Sequence, residues 1–259
     1  MDKRPLAAKP APMKALIFLA LTAASAFAQT DFASWIQKGD QLDAQLKTKE
    51  ALAAYQEAEK LSPNDAEVLH RIAKKIGESQ NDVSSDAEKK ALGAKALDYA
   101  KRGVAADSKN ARAHLALAVC YGRQAPFLDN KTKIAYSKLV KQEVDRSIEL
   151  NPKDDLAWHV LGAWQYGMAN LNPLLRTVAG LIYGTLPSAS NEEAAKCFKK
   201  ALELNPNRIG NHVELGGTYA ALGKKSEARA ELQKGLSLPN RMRDDPDAKE
   251  RAREALKKL

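Results

Sequence analysis

The sequence predicts an all-α fold, a solenoid of about five helical hairpins with insertions in the central ones. Three observations predict it. Of 259 residues, 44% are apolar but only 6% aromatic. Ala and Leu supply most of the apolar count, and with abundant Lys and Glu this composition suits helices rather than strands. The tetrad Glu149-Leu150-Asn151-Pro152 recurs as Glu203-Leu204-Asn205-Pro206, with looser copies at Leu61-Ser62-Pro63-Asn64 and Leu238-Pro239-Asn240. The stretches between them return apolar residues at helical spacing, so each hairpin carries a stripe that only a stacked neighbour can bury.

Residues 1–28 read as an export signal. Lys3, Arg4, Lys9 and Lys14 make a basic start, an apolar run spans Ala15 to Phe27, and Ala26-Phe27-Ala28 fits the small-x-small cleavage rule. Cleavage there leaves Gln29 first and a net charge of +6, down from +9. The chain is then periplasmic or secreted; the alternative is an anchor formed by the uncleaved segment. Residues 29–246 form the repeat domain. Residues 247–259, rich in Lys, Arg and Glu with few apolar positions, make a C-terminal capping helix.

Position by position, the repeats resemble the tetratricopeptide pattern, in which a large residue, a small one and an aromatic precede an Ala, a second large residue and a closing Pro over about 34 residues. In residues 32–65 these places are taken by Trp35, Gly39, Leu42, Ala51, Tyr55, Ala58 and Pro63. The fifth repeat starts near Ile209 and carries Leu215, Gly216, Tyr219, Ala228 and Leu232. Pro206 follows Pro152 by 54 residues, and Pro152 follows Pro63 by 89, so about 20 residues are added in each interval. Residues 77–90 read as a polar loop and residues 122–132 as a turn. The third insertion, Asn170 to Ser190, is apolar: Leu174, Leu175, Val178, Leu181 and Ile182 share a helix face. Pro173 suits the first turn of that helix, Gly184 and Pro187 end it, and Ser190 with Glu193 makes a capping box for the next. The segment is core, or a lid over an apolar groove on the inner surface formed by residues 171–186.

Trp158-His159-x-Leu161-Gly162-x-Trp164, then Leu186-Pro187-Ser188-Ala189, Glu192-Glu193-Ala194 and Phe198 resemble the regulator of microtubule dynamics family. Leu215-Gly216-x-x-Tyr219 and Leu222-Gly223 continue the likeness, which covers most of residues 32–259. The resemblance implies a helical repeat domain of binding type. Eukaryotic members are associated with microtubules, with mitochondria and, for one member, with membrane contact sites and lipid binding. In this chain an export signal stands where those members carry a longer anchor or targeting region.

No catalytic pattern emerges. None of His70, His114, His159 and His212 falls in a metal-binding motif, and no nucleophile elbow occurs. Gly217 to Ser226 lacks phosphate-loop spacing, because five residues rather than four separate Gly217 from Gly223. Cys120 and Cys197 stand among apolar helical residues and read as buried thiols. The last 36 residues hold eleven basic and seven acidic groups interleaved along helices, which argues against nucleic acid. No enzyme activity, cofactor or metal is therefore expected. A protein or peptide partner is, with a lipid or apolar ligand as the alternative. By analogy with other tetratricopeptide proteins, Lys74, Arg112, Arg123, His159 and Tyr166 fall on the concave face. The usual clamp for peptide C-termini is missing from the first repeat, where Ile36, Asp40 and Asp43 occupy its places. His114 and His212 stand where the repeat wants an aromatic and read as packing residues.

Overall fold

The computed structural model describes residues 31–185 and 187–259. Residues 1–30, which include the segment read as an export signal, and Leu186 lie outside the described residues. Helix α1 covers residues 31–44. It is followed by α2 (Thr48–Leu61), α3 (Ala66–Ser79), α4 (Asp86–Ala106), α5 (Ala111–Gln124) and α6 (Asn130–Leu150). Then come α7 (Asp155–Ala169), α8 (Pro173–Tyr183), α9 (Asn191–Leu204), α10 (Ile209–Ala221), α11 (Lys225–Ser237) and α12 (Asp245–Lys257). The hairpins α1/α2, α3/α4, α5/α6, α7/α9 and α10/α11 stack in chain order, and α12 packs on α10 and α11.

The junctions between hairpins share one construction. The second helices α2, α4, α6 and α9 end at Ser62, Asp107, Asn151 and Asn205, with φ of −144°, −148°, −145° and −144°. Each of these residues then accepts a backbone hydrogen bond from the residue three further on. Asp65, Asn110 and Asp154 cap the following helices through their side chains. The junction at Asp107 carries Ser108 where the others carry proline, which is why it is silent in the proline spacing. One turn into the next helix, a ring nitrogen reaches back to the junction. Trp158 donates to the Pro152 carbonyl at 2.9 Å. His114 and His212 bond the Ser108 and Pro206 carbonyls at 3.0 Å each. The other ring nitrogen of each histidine meets Glu143 at 2.6 Å or Glu231 at 2.7 Å on the partner helix. Both histidines thus have two satisfied nitrogens, where packing alone asked for one.

Within a hairpin, a small residue on the first helix receives a large one from the second. A Cβ at Gly39 would lie 2.3 Å from the Tyr55 ring, at Gly162 2.8 Å from Phe198, and at Gly216 2.7 Å from Leu232. Glycine is required there by close approach, not by a turn.

The insertions take two forms. In the second and third hairpins the second helix itself is longer: α4 and α6 have 21 residues each, against 14, 14 and 13 in α2, α9 and α11. The polar stretch 77–90 is correspondingly less of a loop than its composition suggests. Gly77 lies inside α3, a 3₁₀ turn covers Gln80–Asp82, and α4 begins at Asp86. Gln80 is buried and donates to the Lys89 carbonyl at 2.7 Å, while Gln124 donates to that of Lys90 at 3.2 Å. These buried amides thus spend their donors on backbone carbonyls of α4. The 122–132 stretch does hold a turn, the 3₁₀ segment Ala125–Phe127, with Asp129 capping α6. In the fourth hairpin the addition is the separate helix α8. Pro173 opens it, Gly184 ends it at φ 75°, and Ser190 caps α9 by accepting from the Glu193 amide at 3.1 Å.

Candidate partner-binding surface

Repeat register sets the first helices, α1, α3, α5, α7 and α10, side by side along the inner face. Its first two hairpins are tied up in charge pairs. Arg71 donates to Asp40 at 2.9 Å and to Glu67 at 2.5 Å, and Tyr55 donates to Asp40 at 2.7 Å. Lys74 pairs with Asp43 at 2.9 Å. Lys75, only 1% exposed, is held between Asp43 and Glu78. Burial pushes Asp40 and Asp43 upward, but hydrogen bonds from Arg71 and Tyr55, and from Lys75 and Lys74, outweigh it and lower both. Hydrogen bonds from His70, Arg71 and Asn110 hold the Glu67 carboxyl well below the usual range. His70 is itself lowered, because burial disfavours its charged form.

The sequence-derived site residues are not gathered into one basic patch. Lys74 is exposed but already paired. Arg123 lies along Gly77 and donates to its carbonyl at 3.0 Å, joining α5 to α3. Arg112 is exposed and makes no ion pair among the described residues. His159 meets the Asn211 side-chain oxygen at 2.7 Å and sits edge-on to Phe198, ring centroids 5.7 Å apart. Burial lowers its pKa. Tyr166 packs at the edge of the cluster of Phe198, Leu215 and Tyr219, which belongs to the last two hairpins.

Beyond these residues, the inner face of α5, α7 and α10 is small and apolar. Arg112, His159 and Tyr166 border a floor that includes Val119, Val160 and Ala163, all at least partly exposed. An added Cβ at Gly122, Gly167 or Gly217 would meet nothing within 4 Å. Beneath this floor lies an incompletely satisfied amide: Asn211 is 0% exposed and its Nδ2 has no partner among the described residues. Turning the amide over would only move the deficit to its oxygen.

Helix α8 is placed elsewhere. It packs against α6, a second helix, rather than across the first helices. Leu175, Val178, Ile182 and Tyr183 face the core there, Ala179 is fully buried, and Tyr183 hydroxyl lies 2.9 Å from Ser137 Oγ. Leu174 and Leu181 of the same helix point out, 63% and 82% exposed. The apolar face that the sequence presents as one stripe is therefore divided between core and surface.

Lys75, Asn211 and Gln165, whose buried Oε1 also lacks a partner among the described residues, escaped sequence reasoning. Lys75 falls three residues after the buried Ile72, on the apolar stripe of α3. That spacing was its only signal. Cys120 and Cys197 are buried free thiols, pushed by burial up to about 12 and about 11.

This architecture of stacked hairpins accords with the comparisons. Residues 35–259 match the family described as regulator of microtubule dynamics protein 1-3. The chain belongs to the regulator of microtubule dynamics family. It is 34% identical over 212 residues to regulator of microtubule dynamics protein 1 of Mus musculus, covering 81% of this chain and 68% of that one. It is 30% identical over 178 residues to protein 3 of Rattus norvegicus, covering 68% of this chain and 38% of that one. The chain thus spans about two thirds of the first relative and well under half of the second. Among solved structures, a thermophilic tetratricopeptide protein of Thermus thermophilus superposes with a TM-score of 0.62 at 20% identity, covering 87% of this chain and 98% of that one. Pseudomonas aeruginosa pilF gives 0.54 at 16% identity, covering 90% and 93%. Both likenesses concern the fold: an all-α tetratricopeptide solenoid.

Proposed function

We propose that this family member is a non-catalytic scaffold that holds an extended protein segment on the inner face of α5, α7 and α10. One observation carries the reading. Open glycines at Gly122, Gly167 and Gly217 leave room for another backbone to come close. Val119, Val160, Ala163 and Tyr166 supply apolar contact. Arg112 supplies a cation at the rim, suited to a carboxylate on the segment. The charge-paired inner face of α1 and α3 is already occupied by its own side chains. An apolar ligand under a lid draws less support, since the buried side of α8 is taken up by α6.

The export reading of residues 1–28 belongs to the same proposal, and N-terminal sequencing of the purified chain is expected to begin at Gln29. An exported chain would not meet tubulin, so the microtubule role in the relatives' name is ranked last for this protein. The test is retention of partners by the full chain in extracts of its own host, quantified by mass spectrometry. The variant Gly167→Trp/Gly217→Trp should lose the partner that the parent chain retains, while Arg71→Ala keeps it. Retention by the tryptophan variant would refute the proposal.

A further inference from the structure

The outer flank carries a second surface, separate from the inner face. Among the described residues four large apolar side chains are exposed, and two of them, Leu174 and Leu181, stand on α8. They are two helical turns apart and share one side of the helix. Arg176 and Thr177 are exposed beside them. The remaining apolar residues of α8 bury against α6, which fixes the two leucines outward.

The charge around this ridge is one-sided. From Leu156 to Asn191 the chain contains no acidic residue. From Asn130 to Gln142, the first half of α6, it also contains none, but it has Lys131, Lys133, Lys138 and Lys141. The Lys138 ammonium lies 5.8 Å from the Tyr183 ring centroid, which sets it beside the last turn of α8. Lys131, two turns earlier on α6, shares its face and is exposed. Lys141 is committed to Asp145 and adds nothing to this face.

We infer that the α8 ridge, with Lys131, Lys138 and Arg176 around it, docks the protein on a bilayer surface containing anionic lipid. Three features select that occupant. Leu174 and Leu181 project from a ridge, which suits a deformable surface; a partner helix needs a groove. Lys138 and Arg176, on a half of α6 and an α8 that carry no carboxylate of their own, match an anionic headgroup layer beside the exposed leucines. Two copies meeting through this face would oppose their own lysines. The leucines enter the headgroup–acyl boundary while the cations stay at headgroup level, and the inner face remains free.

The test uses the full chain carrying an environment-sensitive fluorophore on Leu181→Cys, with Ser226→Cys on α11 as the control. Cys120 and Cys197 are buried and do not compete for the label. The probes are vesicles of phosphatidylcholine alone and of phosphatidylcholine with phosphatidylglycerol. The label at 181 should shift to the blue on the mixed vesicles and not on phosphatidylcholine, and the label at 226 on neither. In the unlabelled chain, Leu174→Ser/Leu181→Ser should weaken vesicle co-sedimentation by about ten-fold. Lys131→Glu/Lys138→Glu should do the same; all four side chains are exposed. A chain that fails to sediment, or sediments with a silent label at 181, overturns the proposal. So does equal binding to phosphatidylcholine alone, or a label at 181 already buried by self-association without vesicles.

Discussion

The inner faces of the two ends of this solenoid are built on opposite plans. Along α1 and α3, Asp40, Asp43, Glu67, Arg71, Lys74 and Lys75 neutralise one another and leave little to offer a partner. Along α5, α7 and α10, side chains shrink to Val, Ala and Gly, and space opens above Gly122, Gly167 and Gly217. A charged inner face is thus not the available one. Charges that meet across neighbouring repeats stabilise the stack, whereas small residues leave a surface for something else to complete.

The comparison can be broken most forcefully at Lys75. It is the buried cation between Asp43 and Glu78, and Lys75→Ala would take it from both carboxylates, leaving Asp43 only the exposed Lys74. Loss of one partner from a buried ion pair typically costs about 3–5 kcal/mol. Chemical denaturation should show a loss of that order. A change within experimental error would mean that the charge network is not holding the first repeats.

Acid should undo the same end first. Asp40, Asp43 and Glu67 have lowered pKa values, so the stability they lend is full above their unfolded values and fades as pH falls through the folded ones. Burial likewise lowers His70 on α3, which withdraws support as pH drops below about 6.5. Hydrogen exchange followed from neutral pH to below about pH 4 should therefore expose α1 and α3 before α10 and α11. The reverse order would contradict the account.

Two glycines sharpen the contrast. Gly39→Ala drives a methyl into the Tyr55 ring, whose hydroxyl is pinned to Asp40, and should cost about 1–3 kcal/mol through overpacking. Gly217→Ala meets nothing and should gain up to about 1 kcal/mol from helix propensity. Thermal denaturation of the two variants should move in opposite directions. The smallest effect is expected at Lys74, whose side chain is 43% exposed in its pair with Asp43. Lys74→Ala should change stability by no more than about 1 kcal/mol.

Much of this fold is legible in the sequence, and the reason is local. Tetrads ending in proline, helix caps at Asp65, Asp154 and Ser190, and the pairing of Gly39 with Tyr55 are all short-range patterns. The junction at Asp107 is hidden because Ser108 replaces proline while the backbone keeps the same turn. The polar stretch 77–90 misleads because Gln80, though polar, is buried and bonds the Lys89 carbonyl of α4. The surface was less legible than the fold. Register puts Lys74 and Arg123 on first helices, but it does not say that each already has a partner. For α8, periodicity finds the apolar stripe without saying that α6 takes one side and leaves Leu174 and Leu181 outside.

The central claim is that the inner face of α5, α7 and α10 is the surface a partner occupies. In-cell photocrosslinking tests it most directly, with a photoreactive phenylalanine placed at Gly167, at Gly217 or at Asp40. The account predicts one discrete protein adduct common to positions 167 and 217 and none at 40. Adducts at 40 with none at 167 and 217 would contradict it.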